Sequence, residues 1–191
     1  MCEILDAQTE PVILVGHSSG GAIITAVTEE RPERISVLIY LAAFLLPQGI
    51  APPAIMRDDT ESLLASSLVV NAEQRTVMVR KECAKQVFYA DCSDADVAWA
   101  INLLVPEPLI PQGVTAFPVP ATDIEHVPRL YIETLQDRAL SPATQKKMYT
   151  ALPCQKVYSL PTSHSPFLSA PDQLATCFLE SGSLFPRPAM R

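Results

Sequence analysis

The stretch V-I-L-V-G-H-S-S-G-G-A, residues 12–22, constrains the fold more than any other part of the chain. Residues 11–15, P-V-I-L-V, are a short apolar, β-branched run, which predicts a buried parallel strand. Residues 16–21 form a turn. Residues 22–30 then have helical composition, with Ala22, Ile23, Ala26 and Val27 on one side, and the helix should end near Arg31 and Pro32. Inside the turn, Gly16-His17-Ser18-Ser19-Gly20 reads G-x-S-x-G. Directly after a strand and directly before a helix, this pattern has the context of a nucleophile elbow. The turn is tight enough to require small residues around the serine, and it lifts the Ser18 hydroxyl to the top of a sheet. Ser19 does not fit as the nucleophile, because its own register needs glycine at position 17 and finds His17. Its backbone N–H is instead a candidate oxyanion-hole donor. A glycine-rich strand–helix turn with incidental serines would show the same five residues, so the flanking strand and helix carry the weight.

Further strands are expected at Ile35–Leu41, at 129–135 (R-L-Y-I-E-T-L) and at Lys156–Leu160. Ser141-Pro142 starts a helix that runs to about 152, with an N-cap and a first-turn proline, and Pro171 opens a last helix to about 179. This alternation predicts an α/β protein with a mostly parallel open sheet. The middle breaks the alternation. Helix-like stretches at 59–70, 72–89 and 93–104 precede a connector with Pro106, Pro108, Pro111, Pro118 and Pro120; Ser93 and Asp96 mark the third start. The organisation expected is one domain. Residues 1–44 and 123–182 build the sheet core, 45–122 insert a helical lid over the site, and 183–191 are a tail.

Hydrophobic residues are 48% of the 191 and charged residues 18%, enough apolar material for a core. The formal net charge of −7 argues against nucleic acid and anionic membrane surfaces as partners. The longest apolar run, 35–46, is broken by Ser36 and stopped by Pro47, too short to span a bilayer. The first ten residues carry no basic and apolar regions of a secretory signal. Five scattered cysteines with no C-x-x-C pair argue against a disulfide framework or a zinc site, and fit reduced thiols in the cytoplasm. No metal or other cofactor is expected. Whether the chain forms a homo-oligomer is left open.

A serine hydroxyl needs a base, and the chain has three histidines. His17 lies in the elbow and is expected to turn away from the Ser18 side as a structural residue. His126 precedes its strand, at the wrong end of a parallel sheet. His164, in P-T-S-H-S-P-F, follows its strand, at the carboxyl end where sites in such sheets form. The orienting acid must also follow a strand. Asp137 does, in T-L-Q-D-R-A-L-S, 27 residues before His164, whereas Asp123 precedes the strand and Glu133 lies inside it. A turn or helix cap is the competing role for Asp137. Phe88, Tyr89, Trp99, Leu103 and Leu104 are candidates for an apolar pocket, although aromatic residues in helices are more often core.

V-I-L-V-G-H-S-S-G-G, F-Y-A-D-C-S-D-A-D-V-A-W-A, V-P-R-L-Y-I-E-T-L-Q-D-R-A-L-S-P and T-S-H-S-P-F-L-S-A-P together resemble the methylesterase/hydroxynitrile-lyase-like group of α/β-hydrolases, bacterial members included. The resemblance runs from about residue 12 to about 179. It implies cofactor-free hydrolysis of small esters, with Ser18, Asp137 and His164 at the matching places. Lyases of the group typically carry Glu before the nucleophile and Lys after the catalytic histidine. Here those positions hold His17 and Ser165, which favours an esterase over a C–C lyase. The family also begins with further strands and a loop that supplies a second oxyanion N–H. Only ten residues precede the first strand here, so on the order of 60 residues are expected to be missing. A catalytically impaired, ligand-binding homologue is the reading from a different class.

Overall fold

The structure is a computed structural model that describes residues 1–46, 50, 52–109 and 126–185. A short helix, α1 (Cys2–Asp6), leads into β1 (Val12–His17), α2 (Gly20–Glu30), a 3-10 turn at Pro32–Arg34, and β2 (Ile35–Leu41). The inserted segment follows, with α3 (Pro52–Asp58), α4 (Leu64–Ser67), β3 (Leu68–Asn71), β4 (Thr76–Val79), α5 (Lys81–Phe88), α6 (Asp94–Leu103) and β5 (Glu107–Pro108). The chain then returns through β6 (Arg129–Thr134), α7 (Pro142–Ala151), β7 (Lys156–Leu160), α8 (Pro166–Ser169) and α9 (Pro171–Leu184).

The four apolar runs expected as strands form one parallel sheet in the order β1-β2-β6-β7. In the two central strands, successive residues face opposite sides, so period-2 placement feeds two cores at once. Leu38, Tyr40 and Tyr131 face the layer that holds α2 and α7. Val37, Ile39, Leu41, Leu130 and Ile132 face Leu174 and Cys177 of α9. Both faces are therefore covered by helices, which is why β2 and β6 tolerate near-continuous apolar sequence. Residues 11–15 were expected to be buried as well. Among the described residues β1 pairs with β2 alone, and Ile13 (39%) and Val15 (40%) are exposed. The same apolar composition thus serves an edge strand here.

The inserted segment departs from the expected helix-like stretches in its first half. The helix expected over 59–70 is reduced to α4, and the one over 72–89 begins only at Lys81. Between them β3 and β4 form an antiparallel hairpin, Leu68 opposite Val79 and Asn71 opposite Thr76. L-V-V-N and T-V-M-V are strand-like runs, and the four residues between them turn with Arg75 at φ 53° and Asn71 Oδ1 accepting from Gln74 N at 3.0 Å. The third helix stands where expected, as α6, with Ser93 Oγ accepting from Asp96 N at 3.2 Å. Pro108 lies in β5, which adds to β4. Pro111, Pro118, Pro120 and Asp123 lie outside the described residues, as do residues 186–191 of the expected tail; α9 itself continues to Leu184. Val79, Ala84, Val87, Val97 and Ala100 give the inserted segment a small core of its own, which Ala139 of the acid loop joins.

Candidate active site

The elbow forms where β1 must turn into α2 within two residues. Ser18 takes φ 54°, in the left-handed region that a side chain rarely adopts. Three backbone hydrogen bonds hold it: Ser18 N to Leu41 O at 3.3 Å, Phe44 N to Ser18 O at 3.0 Å, and Gly21 N to Ser18 O at 3.1 Å. A Cβ on Gly16 would stand 2.7 Å from Gly20 O, and one on Gly21 would stand 2.4 Å from Phe44 O. Gly20, the last residue of G-x-S-x-G, has open space instead. The sterically required pair is therefore Gly16 and Gly21, one position beyond the motif. Ser19 is the N-cap of α2, so the positive end of the helix faces the elbow.

Asp137 and His164 come together as expected. Each follows its strand, β6 or β7, at the carboxyl end of the sheet, and Asp137 Oδ2 lies 2.7 Å from His164 Nδ1. Both are buried, at 3% and 2% exposure. Asp137 does more than cap a turn. Oδ1 accepts from Ala139 N (2.7 Å) and Leu140 N (3.0 Å), and Oδ2 also accepts from Thr134 Oγ1 (2.8 Å) and Gln145 Nε2 (3.1 Å). An ionised carboxylate only accepts, so His164 Nδ1 carries the proton and Nε2 is left as the lone-pair nitrogen. His164 Nε2 is buried and has no hydrogen-bond partner among the described residues. No hydrogen bond joins it to Ser18 Oγ among those residues. The elbow and His164 meet instead through His17.

His17 departs from expectation. Its ring packs on that of His164, centroids 4.5 Å apart, and its Nε2–H donates to the His164 carbonyl at 2.8 Å. Phe167 meets its other side at 5.1 Å. Burial, followed by repulsion from His164, lowers the His17 pKa to about 3. The folded value lies below the unfolded one, so the unfolded chain takes up the proton first and acid removes stability. Between about pH 6.5 and about pH 3 this site should cost up to about 1.4 kcal/mol per unit of acidification. Urea unfolding across that window should show a shallower pH dependence for His17→Gln than for the parent; equal slopes would mean that His17 titrates normally. His126 is exposed and has no contact with these groups among the described residues.

Of the pocket candidates, Phe88 lies beside His164, its ring 5.5 Å from the imidazole and 5.7 Å from the Tyr89 ring. Trp99 and Leu103 do not join it. They are 59% and 58% exposed, because α6 turns Val97 and Ala100 inward and leaves the opposite face, four residues apart, to solvent. Leu104 packs against the small core instead. A cleft of about 420 Å³ beside the acid loop is lined by Gln86, Ala90, Gln136 and Arg138, and by none of Ser18, Asp137 or His164. Thr134, Gln145, Asp91 and Ser163 were not anticipated. Asp91 and Ser163 meet across 72 residues, and Thr134 and Gln145 reach Asp137 across 3 and 8, in each case through side-chain bonds for which the sequence carries no spacing signal. Among the described residues no His/Cys/Asp/Glu group converges to hold a metal ion, and no helix is long and apolar enough to cross a membrane.

Residues 2–176 match the Alpha/beta hydrolase family. Methylesterase 17 of Arabidopsis thaliana is 28% identical over 175 residues, covering 86% of this chain and 63% of that protein. A pyrethroid hydrolase of Sphingobium wenxiniae is 31% identical over 183 residues, covering 92% and 65%. The chain thus spans just under two thirds of the length of these relatives. The crystal structure of a methylesterase from Arabidopsis superposes with a TM-score of 0.78 at 26% identity, over 96% of this chain and 75% of that one.

Proposed function

The chain belongs to the alpha/beta hydrolase family, and from that premise we propose that it serves as a serine carboxylesterase for small carboxylic esters, methyl esters included. The observation that carries the reading is the 2.7 Å contact between Asp137 and His164 Nδ1, which leaves Nε2 as the available base beside a strained serine elbow. Ser18 Oγ attacks the ester carbonyl while His164 Nε2 takes its proton. The N–H of Ser19 receives the developing oxyanion, and the alcohol leaves with the proton from His164. Water, activated by the same nitrogen, then releases the acid and restores Ser18. Asp137 holds the imidazole tautomer throughout.

His17 and Ser165 support hydrolysis over C–C bond cleavage, since neither provides an ammonium next to the base for a cyanide leaving group. The names of the relatives, a methylesterase and a pyrethroid hydrolase, point to ester substrates. Phe88 supplies the apolar wall beside His164, and the inserted segment of residues 45–122 serves as the lid. Scattered cysteines support a reducing compartment, with the cytoplasm as the simplest choice.

A fluorophosphonate probe tests the reading. The native chain should gain one adduct, on the peptide that holds Ser18, and heat-denatured chain should gain none. A native chain that stays unlabelled and leaves p-nitrophenyl acetate intact would transfer the site to the ligand-binding reading.

A further inference from the structure

The peptide unit joining Thr162 to Ser163 stands one residue before His164, and it is gripped at both ends. Its carbonyl accepts from Gln136 N at 2.9 Å, on the acid loop. Its N–H donates to Asp91 Oδ2 at 3.0 Å. The Ser163 hydroxyl donates to the other carboxylate oxygen, Asp91 Oδ1, and also lies 3.3 Å from Phe88 O. Ser163 is only 1% exposed, so water does not compete freely for these donors. Asp91 itself is 72 residues away in sequence, in the turn between α5 and α6. Partial burial works to raise the Asp91 carboxyl, but hydrogen bonds, from Ser163 first and then from Ser169 and the local backbone, together outweigh it and hold the group below the usual carboxylate range. One residue further on, the His164 carbonyl accepts from His17. The backbone around the base is thus fixed from the acid loop, the elbow and the inserted segment.

We propose that Asp91 is a positioning residue for His164, with its carboxylate coupling the inserted segment to the base through both donors of Ser163. The inference rests on the reading of His164 as the base of a serine esterase. The Asp137 bond holds the ring at Nδ1, while the place of Nε2 also depends on where Cα stands and how its bond to Cβ is aimed, which the anchored backbone sets. A carboxylate suits the task because its two oxygens meet two donors of one residue. Displacements of about 1 Å at a base cost turnover by about 100-fold without weakening substrate binding.

Asp91→Ala should therefore lower kcat 10- to 100-fold with KM within about twofold of the parent. Ser163→Ala should fall between, Ser163→Thr should restore turnover by keeping both donors, and the Asp91→Ala/Ser163→Ala pair should be no worse than Asp91→Ala alone. Asp94→Ala, on the neighbouring exposed pair with Lys85, should behave as the parent. The readout independent of turnover is the NMR signal of the His164 imidazole, its Nδ1–H and ring nitrogens. In the parent it should be single and protected from exchange, and in Asp91→Ala broadened. Parent-like kcat together with an unchanged imidazole spectrum in Asp91→Ala would overturn the inference. So would a loss of kcat that only tracks the loss of folded protein, and Ser163→Ala decides the matter if Asp91→Ala does not fold. A parent chain without esterase activity would sink the functional reading, and the imidazole spectra would still decide the role of Asp91.

Discussion

Alanine at His164 should lower ester turnover by about 10⁴- to 10⁶-fold, and alanine at Ser18 by as much, because the two act as one unit. The same change at His126 should leave turnover near that of the parent. The structural grounds for this contrast are firm. His164 is 2% exposed, bonded to a buried carboxylate and in ring contact with the elbow, whereas His126 is exposed ahead of its strand. Ser19→Ala should cost little, since the expected contribution of Ser19 is its backbone N–H, which alanine keeps. Steady-state kinetics on p-nitrophenyl acetate, corrected for folded protein, would check all four variants. A His126→Ala variant as damaged as His164→Ala would show that the base had been assigned to the wrong strand.

The largest expected loss of stability is at a residue that supports Asp137 from behind. Gln145, on α7, is completely buried. Its Oε1 accepts from Thr134 N at 3.1 Å, and its two amide protons are divided among Leu140 O (2.7 Å), Thr134 Oγ1 (3.1 Å) and Asp137 Oδ2 (3.1 Å). Gln145→Leu keeps the volume and removes every one of these bonds. It strands the Thr134 N–H and the Leu140 carbonyl in a space closed to water. Each orphaned group costs about 1–3 kcal/mol, so unfolding should become easier by about 2–5 kcal/mol. Ester turnover should fall as well, since Asp137 loses a donor to the oxygen that holds His164. Urea denaturation of the variant beside the parent measures the first effect. A change below about 0.5 kcal/mol, the level of an ordinary surface substitution, would show that the network relaxes around the gap.

What the sequence disclosed follows from range. Strands β2 and β6 are legible because burial on two sides demands near-continuous apolar runs, and the edge strand β7 because Val157, Tyr158 and Leu160 form a short β-prone run between turns. The elbow was legible because a strained turn can be built from few residues. Ser18, Asp137 and His164 could be ordered along the chain since a parallel sheet collects its strand ends on one side. The β3–β4 hairpin was read as helix because its strands are only four residues each, too short for period 2 to stand out from period 3.6. Trp99 and Leu103 are apolar residues of an expected lid helix, which suits a pocket and a core alike. Their direction depends on which face of α6 packs, and α6 is apolar nearly all round. Gly20 drew attention as part of a motif, yet the clash falls on Gly21, whose neighbour Phe44 is 23 residues away. Gln145, Asp91 and Ser163 were silent for the same reason: a hydrogen bond across 8 or 72 residues leaves no local trace.

The elbow and the loop after β2 are also two halves of one lock. Ala42 takes φ 43°, as unfavourable for alanine as 54° is for Ser18, and the two sit side by side at the carboxyl ends of paired strands. Ser18 N reaches back to Leu41 O, Phe44 N reaches over to Ser18 O, and Tyr131 OH, 2.8 Å from Ala43 O, pins the loop from beneath. Neither bend is worth its torsional strain alone, and each supplies the contacts that keep the other bent. They should therefore open together, as one cooperative patch whose amides exchange with solvent at a common rate. In folding, Ser18 would reach its final torsion only when β2 has docked against β1. Under mild heat or denaturant the reverse follows: reactivity toward the probe should fade as this patch opens, while the circular dichroism of the helices still reads as native.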